Sequence, residues 1–127
     1  MYSNGYNVYK NNSINYASKD QLLLMIVDGA VKFSKTAQFA IKENNIKKAS
    51  ENLIKTQDIF TELMVSLDRN AGEWAVQLYK VYQFIHDKLI EVNLKKDINI
   101  LQEIIPLIEG VRNTWYEAFE KAKGSGV

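Results

Sequence analysis

The chain has 127 residues, no cysteine, one proline and one histidine, and its sixteen basic and fifteen acidic side chains leave a formal charge of +1. That length supports a single domain whose core needs no staples. The missing cysteine removes disulfides, thiolate-held zinc, iron–sulfur clusters and thiol catalysis, and fits a reducing cytosol. Near-neutral charge, with only Arg69 and Arg112 offering a guanidinium fork, disfavours nucleic acid as a partner.

Residues 1–17 are polar and rich in Tyr and Asn, without the apolar stretch of a secretion signal. They read as an N-terminal arm in which Tyr2, Tyr6 and Tyr9 share one face of a short helix. Two readings of the arm stand side by side: it is packed permanently on the rest, or it covers a groove until a partner displaces it. Ser18 followed by Gln21 makes a capping box, so the first long helix is expected to start at Lys19. Its apolar seam is Leu22, Ile26, Ala30, Phe33, Ala37 and Ala40, and Asn44 and Asn45 end it. The run from Leu22 to Val27 is the longest apolar one, far short of the roughly 20 residues a membrane span needs, so no membrane insertion is expected.

The second helix alternates apolar positions by three and four: Ile46, Ala49, Leu53, Thr56, Phe60, Leu63 and Leu67. Asp68 to Gly72 reads as a turn. The third helix repeats the pattern with Ala75, Leu78, Tyr82, Ile85, Leu89 and Val92, and Asn93 to Lys96 reads as a polar connection. Asp97 is placed to cap a fourth helix, whose seam is Ile98, Leu101, Ile105, Ile108, Val111, Trp115 and Ala118. Pro106 lies inside that pattern and predicts a kink. Four helices with short connections predict an all-α, antiparallel up-down bundle over residues 18–123, with residues 124–127 as a flexible tail.

Several helices carry more apolar surface than a bundle seam uses. The third adds Trp74, Val76, Tyr79, Val81 and Phe84, and the second adds Ile54, Ile59, Met64 and Val65. A thicker core, a contact with a second copy of the chain, or a groove for amphipathic partner helices would each use that surface. Chemistry has little to work with. One histidine, His86, cannot supply a di-iron or zinc ligand set, and no glycine-rich phosphate loop occurs. The one reactive role that His86 leaves open is that of a phosphoryl acceptor in a histidine phosphotransfer domain, a fold of similar size. No metal, cofactor or catalytic residue is expected.

The stretch from Ser18 to Phe33, SKDQLLLMIVDGAVKF, resembles the first-helix signature of the FliS family through Leu22, Met25, Asp28, Gly29, Ala30, Lys32 and Phe33. It departs from that signature at Lys19, Asp20, Gln21 and Val27. NLIKTQDIFTEL, from Asn52 to Leu63, is similar to the family's second helix, with Thr56 in place of Ala. Leu67 and Gly72 match the turn that follows. Leu78, Tyr79, Tyr82, Leu89 and Asn93 fall on the third helix's pattern, and Arg112 with Trp115 to Ala118 on the fourth's. Tyr6 and Tyr9 fit the opening.

The resemblance covers the whole chain and implies a non-enzymatic cytosolic export chaperone. Such a chaperone binds the disordered C-terminal segment of flagellin, prevents premature polymerisation and presents the subunit to the flagellar export gate. Combined with the apolar excess, it suggests two sets of contact residues. Leu24, Val27, Ile59, Met64 and Val81 would line grooves. Asn52, Gln57, Tyr79 and Asn93 would bond the partner's backbone or set its register, although Asn52 and Asn93 also suit internal helix-end duties. Gly29 is expected to permit close helix approach, and the arm carrying Tyr6 and Tyr9 is the candidate occupant of an empty groove.

Overall fold

The computed structural model describes residues 18–125, with side chains through Lys123. Tyr6, Tyr9 and the rest of the arm lie outside the described residues. Among the described residues four helices follow in order: α1 (Lys19–Lys42), α2 (Ile46–Ser66), α3 (Glu73–Lys95) and α4 (Ile98–Ser125). Each packs on its chain neighbour, and α4 returns to α1, which closes the ring of an antiparallel up-down bundle. The α1/α2 pair has the most extensive packing and α3/α4 the least.

Local chemistry sets the helix ends. Ser18 Oγ accepts from the Gln21 backbone N–H at 3.1 Å and Gln21 Oε1 accepts from the Ser18 N–H at 3.0 Å, which is the expected capping box. Asn45 caps α2 by accepting from the Lys48 N–H at 3.1 Å, after Asn44 has reversed the chain at φ 58°. Gly72 starts α3 at φ +151°, a conformation that side chains disfavour. Asp97 accepts from the Asn99 N–H at 2.9 Å and caps α4 as expected. Two boundaries differ from expectation. Asn93 to Lys95 remain helical, and α3 stops only where Lys96 turns left-handed at φ 51°. α4 runs unbroken through Pro106 and on to Ser125, two residues past the expected end of the bundle at residue 123.

Most seam residues read along the chain lie in the core, although Ile46 and Ala118 are exposed and Val27, Val31, Ile59 and Ile104 join it. Ala30, Ala37, Leu53, Phe60, Leu63, Tyr82, Ile85, Leu89, Leu101, Ile108 and Val111 are all buried. Burying one such aliphatic or aromatic side chain contributes roughly 1.5–3 kcal/mol. Phe60 meets the Tyr82 ring edge-on at 6.0 Å, and Trp115 Nε1–H donates to Tyr82 Oη at 2.8 Å. These contacts tie α2, α3 and α4 together around one aromatic centre. Buried Ser34 and Thr56 donate their hydroxyls to Val31 O and Asn52 O in their own helices, so neither leaves a polar atom unmet. Gly29 is not needed for close approach. A Cβ there would sit 3.5 Å from Ile59 Cδ1 and Phe33 Cε2, ordinary contact without overlap.

Candidate partner-binding surface

Helical spacing and a few side-chain contacts orient all four seams. Phe33 of α1 holds the Lys55 ammonium 5.1 Å from its ring centroid, and Gly29 faces Ile59, so the Asn52, Lys55 and Ile59 side of α2 meets α1. Gln57 and Met64, one heptad apart on the other flank, therefore look toward α3. Trp74 meets Trp115 edge-on at 6.3 Å, so the side of α3 carrying Trp74 and Val81 meets α4. Tyr79, His86 and Asn93, again spaced by sevens, look back toward α2. On α4, Tyr116 Oη donates to Asp28 Oδ2 at 2.6 Å and Glu109 pairs with Lys35 at 2.9 Å. That flank meets α1 and leaves Leu107 on the flank toward α3.

The four seams differ in character. The α1/α2 and α1/α4 seams are stitched by the Phe33–Lys55, Asp28–Tyr116 and Lys35–Glu109 contacts. The α3/α4 seam is apolar and open. Trp74 is 53% exposed, Val81 39%, Phe84 50% and Leu107 41%, and Phe119 extends the aromatic cluster by stacking 5.7 Å from Trp115. The α2/α3 seam is mixed. Arg69 lies over the Tyr79 ring at 4.3 Å, beside an open cleft of about 560 Å³ lined by Leu67, Asp68, Arg69, Asn70 and Val76. Deeper in that seam, Gln57 Oε1 is buried with no hydrogen-bond partner among the described residues. A buried acceptor without a donor costs about 1–3 kcal/mol.

The structure brings some of the sequence candidates together and withdraws others. Gln57, Met64 and Tyr79 are partly exposed on the α2/α3 seam, and Val81 is exposed on the α3/α4 seam. Leu24 is partly exposed one turn before Asp28, on the α1/α4 side. Val27 and Ile59, expected to line a groove, are only 1% and 2% exposed. Both belong to the buried cluster at the centre of the bundle, so they are core rather than surface. Asn52 Nδ2 donates to Lys48 O at 2.9 Å and is 8% exposed. Asn93 accepts from Lys96 Nζ through its backbone oxygen at 2.5 Å and through Oδ1 at 2.8 Å. Both asparagines are engaged by their own helices, the internal duty that was the alternative.

Sequence reasoning counted Trp74 and Phe84 as surplus apolar residues without placing them in the site, and it missed Leu107 and Arg69. Leu107 had a signal, since it falls off the α4 seam that runs through Ile105, Ile108 and Val111. Arg69 had none, because it reaches Tyr79 from a connection. The His86 side chain is 22% exposed, with Nδ1 3.6 Å from Asp87 Oδ1. It lies on the α2/α3 flank rather than standing clear of the surface as a phosphoryl acceptor would. No group of His, Cys, Asp and Glu side chains able to hold a metal occurs among the described residues.

The geometry is that of a helical bundle with an open apolar seam, and comparison with known proteins places that bundle. The family model of the flagellar protein FliS matches residues 2–122. The flagellar secretion chaperone FliS of Bacillus subtilis (strain 168) is 33% identical over 127 residues, 97% of this chain and 95% of the relative. The protein of the same name from Escherichia coli (strain K12) is 28% identical over 104 residues, 80% and 76% of the two chains. A crystal structure of a flagellar chaperone from bacteria matches the fold with a TM-score of 0.73 at 15% identity, covering 94% of this chain and 98% of that one. An all-helical bundle with open apolar seams, matched over nearly its whole length by this family and by flagellar secretion chaperones, places the chain in the FliS family.

Proposed function

We propose that the protein is a cytoplasmic export chaperone for flagellin, without catalytic activity. It holds the disordered C-terminal segment of flagellin until the subunit is handed to the flagellar export gate. The observation that carries this reading is the open α3/α4 seam, where Trp74, Val81, Phe84 and Leu107 leave an apolar stripe on the two helices that pack least. Amphipathic helices recognise such a stripe through residues spaced by three and four. The α2/α3 seam, with Met64, Tyr79 and the unmet Gln57 acceptor, offers a second, more polar track for the same chain. Leu24 would extend the contact around α1.

A disordered segment that folds as it binds can follow several seams at once, burying roughly 2,000 Å² or more. Ordering the segment costs several kcal/mol, which leaves the complex firm yet releasable without nucleotide hydrolysis. The arm with Tyr6 and Tyr9 is the occupant we assign to the seam while flagellin is absent. A second copy of the chain is the other occupant the apolar surface would accept.

The test is titration calorimetry with a peptide of the cognate flagellin's C-terminal segment, read together with far-ultraviolet circular dichroism. A saturable 1:1 isotherm, a negative heat-capacity change and helicity above the sum of the parts are expected. Absence of binding at tens of micromolar, roughly −6 kcal/mol, would remove the assignment. Replacing Tyr6 and Tyr9 together by Ala is expected to tighten binding by freeing the seam. Weaker binding would instead make the arm part of the site.

A further inference from the structure

We propose that the end of the bundle formed by the α1–α2 and α3–α4 connections docks on an anionic lipid surface, lying on the membrane without spanning it. In an up-down bundle these two connections share one end. Leu94, 82% exposed, Phe39, 67%, and Ile46, 50%, all stand there. Leu94 exceeds every other exposed large apolar side chain described. Around them Lys42, Lys47, Lys48, Lys95 and Lys96 face only two carboxylates, Glu43 and Asp97, within residues 42–48 and 93–97. With Lys95 paired to Glu91, that end carries two excess positive charges, whereas the whole chain carries +1. Asp97 is further engaged in capping α4.

Helix stability does not account for this placement. Lys42 and Lys95 close α1 and α3, where the macrodipole favours a cation. Lys47 and Lys48, however, lie in the first turn of α2, which has no acidic residue, so both oppose the dipole of their own helix. Nor are they neutralised nearby. Lys42, Lys47 and Lys48 make no ion pair among the described residues, whereas Lys95 is held by Glu91 at 3.2 Å.

Protruding apolar side chains ringed by lysines match the chemistry of an anionic headgroup layer. The ammonium groups are drawn to lipid phosphates, and the Phe, Ile and Leu side chains enter the headgroup–acyl boundary. An acidic protein partner fits this end less well. Phe39, Ile46 and Leu94 project from helix ends rather than line a concavity, and the open cleft lies at the opposite end, beside the α2–α3 connection. A fluid lipid surface needs no matching shape. No described helix is long and apolar enough to cross a membrane, so the contact is peripheral.

The proposal does not depend on flagellin binding and is tested apart from it. The full chain is sedimented with vesicles of phosphatidylglycerol and phosphatidylethanolamine, and with vesicles of phosphatidylcholine alone. Measurements at about 50 and about 300 mM salt span the range over which surface charge is screened. Partitioning onto the anionic vesicles is expected, with little on the neutral ones and a marked loss at the higher salt. The triple variant Lys42→Glu, Lys47→Glu, Lys48→Glu is expected to lose about tenfold or more of that partitioning. Phe39→Ser with Leu94→Ser is expected to lose severalfold.

All five positions are exposed, so the variants should keep the helical spectrum and the flagellin titration of the unaltered chain. Tyr79→Ala, on the α2/α3 seam, should leave vesicle binding unchanged. Equal partitioning of the triple variant, equal binding to neutral vesicles, or capture by a Glu-rich peptide with none by anionic vesicles would each overturn the proposal.

Discussion

Tyr82 shows how much one side chain can do in a small core. Its ring is 1% exposed, meets Phe60 edge-on, and its hydroxyl receives the Trp115 N–H. Burial pushes its phenol up to about 12, while the Trp115 hydrogen bond works the other way. In the unfolded chain the same group ionises near 10. The unfolded state therefore loses its proton first, and stability falls as pH rises from about 10 to about 12, by on the order of 2–3 kcal/mol. Tyr116, raised by its hydrogen bond to Asp28, acts in the same direction from an exposed position. Tyr82→Phe is expected to lower stability at pH 7 by about 1 kcal/mol through the lost acceptor. It should also shrink the alkaline drop, which urea midpoints at about pH 9 and about pH 11.5 would reveal. An undiminished drop would move the effect to other tyrosines or to lysines. The capping pair Ser18 and Gln21 and the Asp97 cap were legible at this scale, because a cap is a local hydrogen bond between near neighbours. The Gln57 acceptor was not, since its burial depends on a second helix.

At the scale of the element, the four described helices follow from three-and-four spacing, and the structure buries most of the expected seam residues. Their ends were less legible. Asn93 to Lys95 read as a connection because polar Asn93 and Lys95 flank Leu94 there, yet nothing in them breaks a helix; the left-handed Lys96 does. Pro106 lies inside α4, and the helix continues through it, as the apolar spacing on both sides implied. Gly110, one turn later, has nothing within 4 Å of an added Cβ. Glycine there loses backbone entropy without easing any close approach. Gly110→Ala is therefore expected to stabilise the protein by about 0.5–1 kcal/mol, seen as a higher urea midpoint at an unchanged slope. A lower midpoint would mean that the backbone after Pro106 needs glycine's freedom.

At the scale of the molecule, the sharpest feature is the inequality of the four seams. Two are closed by Phe33–Lys55, Asp28–Tyr116 and Lys35–Glu109, and the α3/α4 seam is left apolar and open. Val81 and Leu107 flank it from either helix, and both are exposed enough to accept a charge without burying it. Val81→Asp with Leu107→Asp is expected to weaken binding of the flagellin segment by about tenfold or more, with stability changed by less than about 1 kcal/mol. The calorimetric titration checks the first, and a urea curve the second. Unchanged affinity would shift the site to Gln57, Met64 and Tyr79 on the neighbouring seam.

The amino-acid sequence by itself determined the helices, their caps, the all-α bundle and the family. Each of these rests on periodicity, on side chains bonding within a turn, or on motifs read in order. Which surplus apolar residues became core and which stayed outside was decided only by the tertiary structure. Val27 and Ile59 differ from Val81 in no local property. Ile59 is covered where α2 packs closely on α1 and Val27 lies inside the shared core, whereas α3 and α4 leave their seam open.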